Sequence, residues 1–268
     1  MTGLLIIICL GLLGALIGAA YVAHPTPAAS GTAIGAPTRW TVPRAPVCRF
    51  GTYNVHGGKG AEGVRDIRRA AEVVRGVDVL ALQELRAATR LRTPAQIEQL
   101  AEILDLGWLF APARTRWFRE YRGTGLLSRF PVTHWYREPL VDLSGHSFRV
   151  LTTVAVDFYG HTLWVLCTHL HPRLAREQQL ATVLQRFTHY SPAILMGDLN
   201  TTREDPALAA LIKEPEVVDA IREALGERDA ADRIDWILVK GLRVVRGGVT
   251  EVGVSDHPYY WVDIARPG

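Results

Sequence analysis

Short apolar segments that end in polar side chains recur along this chain. Four of them are VCRFGTYN, VDVLALQE, TLWVLCTHL and SPAILMGDLN. Each runs through β-branched and large apolar residues, which is typical of buried strands. Because sites in α/β sheets gather at the carboxyl ends of strands, the polar residues that close these segments are candidates for one common site.

Amphipathic stretches lie between these segments and predict helices. The apolar side chains recur at three- and four-residue spacing, so each stretch has one face for a core. The three faces are Val64, Ile67, Ala71 and Val74; Ile97, Leu100, Ala101 and Leu104; and Leu180, Val183, Leu184 and Phe187. From Leu126 to Asp157 and from Arg233 to Ile264 the pattern alternates between turn breaks, which predicts antiparallel sheet.

Two sheets packed face to face and flanked by helices would bury all of these faces. We therefore predict an α/β (α+β) fold, a four-layer α/β/β/α sandwich of two mixed sheets. The chain has 268 residues, of which 48% are hydrophobic, without an internal repeat or a second break in composition. A single domain over residues 47–265 is the simplest organisation. The net charge of +3 does not by itself favour a polyanionic partner.

The first 23 residues are predicted to lie outside this domain. No charged residue occurs from Leu4 to Ala23, and a helix of this length spans about 30 Å, the thickness of the hydrocarbon core of a bilayer. Residues 1–23 are therefore predicted to be an apolar membrane segment, either a signal peptide or an anchor. Either alternative makes the protein secreted or membrane-anchored. We expect its folded domain to lie outside the cytoplasm, although the first Lys or Arg is Arg39, so the charges near the segment do not fix its orientation.

Residues 24–46 contain five prolines separated by small residues and predict a Pro/Ala-rich linker. The three cysteines cannot form a disulfide scaffold, because Cys9 lies in the apolar segment. Cys48 lies about 20 Å before the end of its strand and Cys167 about 7 Å before the end of its own. We therefore expect both to be free residues of the core.

Acidic, amide and imidazole side chains stand at the predicted strand ends. Taken singly, Asn54 suits a turn, Glu84 a helix start and Asp198 an Asx turn. Oxygen ligands without a cysteine or paired-histidine cluster favour a hard cation, Mg²⁺, Mn²⁺ or Ca²⁺, over zinc. The candidate residues are Asn54, Glu84, His169, Asp198, Asn200, Asp235, Asp256 and His257.

These side chains have the chemistry that phosphoester hydrolysis requires. A divalent ion on Glu84, helped by the Asn54 carbonyl, would polarise a phosphoryl oxygen. Asp198 would orient or deprotonate a water, and Asn200 would donate its amide to the phosphate. Asp256 stands beside His257, and a nearby carboxylate raises the pKa of an imidazole and fixes the tautomer of the ring.

Seven motifs occur in the order expected of one known family: YNVHGG, LALQE, GLLSRFP, THLH, ILMGDLN, RIDWILV and VSDHP. Over residues 47–265 the chain resembles the endonuclease/exonuclease/phosphatase family, the deoxyribonuclease-like superfamily. The resemblance implies magnesium-dependent phosphoester hydrolysis on a four-layer sandwich. The chain departs from the common pattern at Thr124, where many members carry Asn, and at Tyr259 and Tyr260, which replace a Pro-Val pair.

The resemblance also implies a role for each matching residue. Asn54 and Glu84 resemble metal ligands, and Asp256 resembles a carboxylate that binds metal or orients a histidine. Asp198 and Asn200 resemble the water-activating aspartate and the phosphate-binding amide. The other matches are the phosphate-contacting or proton-donating His169, the leaving-group aspartate Asp235 and the proton-transfer histidine His257.

The segment RTRWFREYR, residues 114–122, has two interpretations. Its mixture of arginines and aromatic residues suits phosphate contact with stacking on bases or on a lipid surface. A solvated hairpin edge explains the same pattern. The HxH pair His169 and His171 does not favour a zinc hydrolase, because Pro172 and Arg173 follow it.

We predict a metal-dependent phosphodiesterase that acts as a DNA or RNA endonuclease, with nucleic acid as its partner and no obligate protein partner. A phospholipase of the sphingomyelinase C type is an alternative, with phospholipid as its substrate. The apolar segment and four candidate interface residues favour it: Trp117, Phe118, Tyr259 and Tyr260. A catalytically silent binding module is an alternative of another class, and it predicts loss of at least one site residue, whereas all eight are present.

Overall fold

The computed structural model describes residues 2–40, 42–88, 93–116, 119–143 and 148–266, without the side chains of residues 2, 4, 5, 20, 21 and 119. Trp117 and Phe118, two of the predicted interface residues, lie outside these ranges. Two mixed β-sheets pack face to face, and helices flank them. The predicted α/β sandwich is confirmed at this level.

The strands of the described chain are β1 (His24–Pro25), β2 (Ala29–Gly31), β3 (Val47–Asn54), β4 (Val79–Arg86), β5 (Gly107–Arg116), β6 (Arg119–Ser128), β7 (Val132–Leu140), β8 (Arg149–Phe158), β9 (His161–His169), β10 (Ala193–Asp198), β11 (Val217–Asp219), β12 (Asp235–Lys240), β13 (Val244–Val249) and β14 (Tyr260–Ala265). Its helices are α1 (Thr2–Tyr21), α2 (Arg69–Val73), α3 (Gln96–Leu104), α4 (Arg176–His189), α5 (Pro206–Ile212) and α6 (Ala220–Leu225). The first sheet has the order β1-β5-β6-β4-β3-β14-β13, and the second has the order β11-β12-β10-β9-β8-β7-β2.

Apolar side chains from both sheets meet in the space between them. Phe50 of β3, Val165 of β9 and Met196 of β10 are completely buried there. The rings of Phe130 and Phe158 pack edge to face, with their centroids 5.0 Å apart. Burial of each such side chain contributes about 1.5–3 kcal/mol, so this shared face holds the two sheets together.

Helices α3 and α4 have the buried faces that their periodicity predicts. Ile97 and Leu100 of α3 pack in one cluster with residues of the first sheet. Val183 and Phe187 of α4 pack with residues of the second sheet. Each helix therefore covers the outer face of one sheet.

The helix predicted from Val64 onward begins later than expected. Val64 is 57% exposed, and α2 covers only Arg69–Val73. Before it, Lys59 and Arg65 form an isolated β-bridge, and the side chain of Asp66 accepts a hydrogen bond from the backbone nitrogen of Arg68. This side-chain bond competes with a helical start, so the prediction was wrong for the first turn.

The stretch from residue 233 to 264 contains antiparallel strands, as predicted, but they belong to different sheets. Strand β12 pairs with β10 and β11 in the second sheet. Strands β13 and β14 pair with each other in the first sheet, where β14 also pairs with β3. An alternating pattern shows which face of a strand is buried but not which sheet the strand joins.

Residues 24–46, expected to be a linker, lie along the sandwich. Strand β1 pairs with β5, and β2 pairs with β7, so this segment adds an edge strand to each sheet. Thr26 is only 3% exposed, and its backbone nitrogen donates to the carbonyl of Ala113 at 3.2 Å. Prolines are compatible with this position because an edge strand does not need every N–H.

The amino-terminal helix α1 exposes apolar side chains such as Ile7 and Leu10, at 68% and 62%. Among the residues whose side chains are described, no helix has both the length and the hydropathy of a membrane span. The assignment of residues 1–23 as a signal peptide or anchor, and the extracytoplasmic location of the domain, stay predictions.

The cysteines behave as expected: Cys9, Cys48 and Cys167 are all free, and the last two are buried. The expectation for Tyr259 and Tyr260 was wrong. Their exposed fractions are 2% and 5%, because the chain enters β14 directly after the VSDHP motif. Neither tyrosine can serve as an interface anchor.

Candidate active site

Three neighbouring strands of the second sheet bring polar side chains together at one edge. Asp198, at the end of β10, lies opposite His169 at the end of the parallel strand β9. On its other side it lies opposite Asp235, at the start of the antiparallel strand β12. A Cβ on Gly197 would overlap the carbonyl oxygen of Thr168, so glycine allows β10 to approach β9 closely just before Asp198.

The first sheet contributes the facing side of the site. Asn54, the last residue of β3, pairs with Gln83 of the parallel strand β4. The next residue, Glu84, has a φ of 61°, and the register of β4 with β6 shifts between Leu82 and Leu85. Such an irregularity changes the direction of a side chain, and here it leaves the Glu84 carboxylate 3.4 Å from the amide nitrogen of Asn54.

One carboxylate lies at the centre of these groups. The Oδ2 atom of Asp198 accepts a hydrogen bond from Nδ2 of Asn54 at 3.1 Å. Nε2 of His169 lies 3.4 Å from the same oxygen, and Nε2 of His257 lies 3.8 Å from it. The other oxygen, Oδ1, accepts from the backbone nitrogen of Asn200 at 2.9 Å. Each of these four nitrogens can therefore donate a hydrogen bond to the carboxylate.

Burial controls the protonation of Asp198, which is 2% exposed. Desolvation raises the pKa of its carboxyl group above the ordinary value, and the nearby charge of Asp235 raises this pKa further. The charge of His257 and the hydrogen bonds from Asn200 and Asn54 oppose this shift without cancelling it. Asp198 is therefore a better proton acceptor than an exposed aspartate.

His257 and Asp235 form a hydrogen-bonded pair, with Nδ1 of the histidine 2.8 Å from Oδ2 of the aspartate. Burial alone would lower the pKa of His257. The hydrogen bond that Nδ1 donates to Asp235 and the charges of Asp235, Asp198 and Asp256 outweigh burial and raise the pKa of His257 to about 9. The imidazole is therefore protonated at neutral pH, with Nδ1 directed to Asp235 and Nε2 directed toward Asp198.

His169 has the opposite protonation behaviour. Burial lowers its pKa well below the ordinary value, and the positive charges of Arg149, His257 and His171 lower it further. A terminal nitrogen of Arg149 lies 3.4 Å from Nδ1 of this histidine. Because a guanidinium only donates, Nδ1 is the acceptor and the ring proton is on Nε2, toward Asp198.

The remaining predicted residues are less central. Asp256 is exposed, and its carboxylate lies 3.2 Å from Nδ1 of His56. The side-chain amide of Asn200 donates to the carbonyl of Leu170 at 2.9 Å, which leaves one of its two N–H groups for a ligand. The assignments of Asp256 to metal and of Asn200 to phosphate therefore stay predictions.

Two groups of side chains could hold a metal ion. Ligand atoms of Asp198, Asp235 and His257 lie within 4.8 Å of one another. This group is a poor site because Asp235 already binds the protonated His257. Glu84 and Asn54 offer oxygens instead, although Oδ1 of Asn54 also accepts from the backbone nitrogen of His56 at 3.1 Å. An oxygen donor set of this kind fits a hard divalent cation.

The structure adds residues that the sequence did not assign to the site. The hydroxyl of Ser255 donates to the carbonyl of Asn54 at 2.6 Å and so connects the VSDHP loop to β3. Arg149, the first residue of β8, lies beside His169 because β8 and β9 form an antiparallel hairpin. The Tyr159-Gly160 turn between the two strands is the signal that would have indicated this neighbour.

A two-sheet sandwich that carries this cluster at one edge defines a class of protein, the phosphoester hydrolases with an α/β sandwich fold. The chain belongs to the Endonuclease/Exonuclease/phosphatase family, whose model matches residues 51–257. Members of this family are phosphoester hydrolases and generally depend on a divalent metal ion.

Solved structures share the fold. The chain is 26% identical to an endonuclease/exonuclease/phosphatase from Beutenbergia cavernae DSM 12333, over 84% of this chain and 72% of that one, with a TM-score of 0.68. For D. rerio TDP2 complexed with single strand DNA product the identity is 19%, over 82% and 99% of the two chains, with a TM-score of 0.63. For the mannosyl-6-phosphatase of Bacteroides thetaiotaomicron VPI-5482 it is 17%, over 81% and 99%, with a TM-score of 0.65. No curated protein matches the chain.

Proposed function

We propose that this protein is a metal-dependent phosphodiesterase that cleaves DNA or RNA internally. The observation that carries the proposal is the environment of Oδ2 of Asp198. An amide nitrogen and two imidazole nitrogens lie within 3.8 Å of this oxygen. A buried carboxylate held in this way can position an attacking water, with hydrogen-bond donors around the phosphate that it attacks.

In this proposal Asp198 orients the water and accepts its proton, because burial increases the proton affinity of the carboxylate. Attack of the water oxygen on phosphorus breaks the bond to the leaving oxygen. His257 is held at Nδ1 by Asp235 and presents its Nε2 proton to the charge that develops there. Neutral His169 presents a second N–H from Nε2, and Asn200 presents its remaining amide proton to the phosphate.

We assign Glu84 as the main ligand of a divalent cation, with Asn54 and Asp256 completing the protein donors. Mg²⁺ is the first candidate, and Mn²⁺ and Ca²⁺ are alternatives. A bound ion supplies Lewis-acid polarisation of a phosphoryl oxygen. The position of the Glu84 carboxylate supports this assignment, because the amide group of Asn54 lies beside it, with Nδ2 3.4 Å from Oε1.

Nucleic acid is the proposed substrate because a structural relative, D. rerio TDP2, is complexed with single strand DNA product. The similarity to a mannosyl-6-phosphatase favours a small phosphorylated molecule as the second candidate. The exposed apolar side chains of α1 support the proposal that the protein is attached to a membrane or secreted, and they keep a phospholipid substrate as an outcome of the test.

The test uses the full-length protein with Mg²⁺ and three substrates. Supercoiled plasmid, mannose 6-phosphate and sphingomyelin vesicles are incubated separately, each with the wild type and with Asp198→Asn. We expect nicking of the plasmid by the wild type and not by the variant. Release of choline phosphate without nicking would favour the phospholipase, and release of phosphate alone would favour a phosphomonoesterase. No turnover of any substrate would favour the silent binding module.

A further inference from the structure

A cavity beside the catalytic cluster is lined by three arginines. Arg114 of β5, Arg122 of β6 and Arg149 of β8 surround it, together with Glu84, Thr124 and His169. Glu84 and His169 also belong to the candidate active site, so the cavity and the site share a wall. One ligand can therefore occupy the cavity and the active site at the same time.

The strand register places two of these arginines against each other. Arg114 and Arg122 are direct partners in the antiparallel pair of β5 and β6. Their guanidinium carbons lie 5.4 Å and 5.7 Å from the centre of the Tyr121 ring. Contact with an aromatic ring restricts an arginine side chain, so the pair is partly ordered before any ligand binds.

The protein balances the charges of these arginines only in part, through carboxylates that lie near them without forming ion pairs. In the described part of the chain none of the three forms an ion pair with a carboxylate. The Nε atoms of Arg122 and Arg149 are buried there without a hydrogen-bond partner. The residues outside the described ranges contain no aspartate or glutamate. Three guanidinium groups therefore face one cavity, with the Glu84 carboxylate as the negative charge in its wall.

Burial makes this excess of charge costly. It lowers the pKa of Arg114 and of Arg149, and the charge of Arg122 lowers that of Arg114 further. A solvated hairpin edge, the alternative interpretation of residues 114–122, would leave these groups in water. Partly buried cations that outnumber the carboxylates of their cavity are instead the arrangement expected where an anion binds.

We propose that this cavity is a subsite for a second phosphate group of the substrate, adjacent to the phosphorus under attack. The proposal rests on the proposed phosphodiesterase function and assigns Arg114 and Arg122 as its specificity residues. Guanidinium groups match phosphate oxygens with paired N–H donors, and two of them on facing strands can hold one phosphate from both sides. The second phosphate belongs either to the neighbouring nucleotide of a chain or to a small bisphosphorylated molecule.

The first test measures binding without turnover. Full-length protein in EDTA is titrated with inorganic phosphate by isothermal titration calorimetry. We expect Arg114→Gln and Arg122→Gln each to weaken binding by about tenfold, because each removes charge-assisted hydrogen bonds. Arg68→Gln, on the exposed side chain that pairs with Asp66, is the matched control and should bind as the wild type does. Binding that is absent, or equal in all four proteins, overturns the subsite.

The second test measures KM with Mg²⁺ for two pairs of substrates. Thymidylyl-thymidine is compared with its 5′-phosphorylated form, and glucose 6-phosphate with glucose 1,6-bisphosphate. We expect the extra phosphate to lower KM in one pair, and we expect this decrease to be lost in Arg122→Gln but kept in the control Arg68→Gln. The pair that shows the gain identifies the source of the phosphate, and no gain in either pair overturns the proposal.

The two proposals fail in different ways. If the protein hydrolyses a phosphoester but its phosphate binding does not depend on Arg122, the subsite is refuted and the phosphodiesterase function stands. If phosphate binding depends on Arg122 but no phosphoester is hydrolysed, the phosphodiesterase function is refuted and the anion-binding site stands. Thermal unfolding of each variant shows whether it is folded. If one of the two arginine variants does not fold, the other still tests the subsite.

Discussion

Arg233 donates a hydrogen bond to the backbone carbonyl of Asp235, at 2.7 Å. The same guanidinium pairs with Asp229 at 2.7 Å and with Asp219 at 2.6 Å, and it lies 4.1 Å from the centre of the Trp236 ring. All of these side chains are buried. The start of β12, and with it the carboxylate that holds His257, is therefore fixed by an internal ion-pair network.

Replacing Arg233 with methionine should destabilise the whole domain. The variant keeps an apolar stem but leaves Asp219 without its buried counter-charge and Asp229 with Arg203 as its remaining partner. Loss of one partner of a buried pair costs about 3–5 kcal/mol. Urea denaturation followed by tryptophan fluorescence measures this loss. Arg75→Gln, which breaks an exposed pair with Glu72, should cost far less, because solvent screens an exposed pair. Equal losses in the two variants would show that the network does not stabilise the fold.

Asp235→Asn should reduce catalysis without unfolding the protein. The amide has nearly the volume of the carboxylate but no longer provides the negative charge 2.8 Å from Nδ1 of His257. We expect kcat on plasmid or on a dinucleotide to fall by about a hundredfold or more. Asp66→Asn, in an exposed loop, is the control and should retain full activity. A kcat within twofold of the wild type would exclude a role for the Asp235–His257 pair.

The sequence predicts the buried strands and the faces of α3 and α4 because burial leaves a period of two or of about four in the apolar residues. It does not predict β1 and β2. An edge strand is held by backbone hydrogen bonds, such as those that pair His24 with Thr115, and these leave no apolar pattern. The assignment of β12 and β14 to different sheets is also absent from the pattern, because both sheets bury strands of the same composition.

For the site, the strand ends indicate which residues meet. Asn54, His169 and Asp198 lie at the carboxyl ends of parallel strands, and this position can be inferred from the apolar segments before them. Arg149 lies at the amino end of β8, so its place beside His169 depends on the register of a hairpin. The aim of the Glu84 carboxylate depends on a local positive φ, which no pattern of residue types shows.

Removing the divalent ion should stop hydrolysis and lower the thermal stability. An ion that binds only the folded state stabilises it by about 2.7 kcal/mol at a concentration one hundred times its Kd. Mg²⁺ should therefore raise the Tm of the wild type and not that of Glu84→Gln. Glu102→Gln, on the exposed side of α3, should respond to Mg²⁺ as the wild type does. The same increase in Tm in all three proteins would place the ion elsewhere, and activity that persists in EDTA would contradict the requirement for it.

Asp263 of β14 should make the fold sensitive to acid. Its carboxylate accepts from Nε of Arg49 at 2.9 Å and from Nε of Arg246 at 2.7 Å. Burial would raise the pKa of Asp263, but the hydrogen bonds and charges of the two arginines outweigh burial and hold this pKa below its ordinary value. A carboxyl group whose pKa is lower in the folded state than in the unfolded state stabilises the fold. This stabilisation is complete at pH values above the unfolded-state pKa of about 3.9, and it is lost as the pH falls through the pKa of the folded state.

Asp263→Asn removes this contribution. At pH 7 we expect the variant to be less stable than the wild type by about 1–3 kcal/mol, because the three charge-assisted hydrogen bonds from Arg49 and Arg246 are weakened. The difference should shrink as the pH falls below about 4, where the wild-type carboxylate begins to be protonated in the unfolded state. Urea denaturation at a series of pH values measures the free energy of unfolding of both proteins. If the difference in free energy of unfolding between the two proteins stays constant down to the lowest pH measured, the charge of Asp263 does not stabilise the fold.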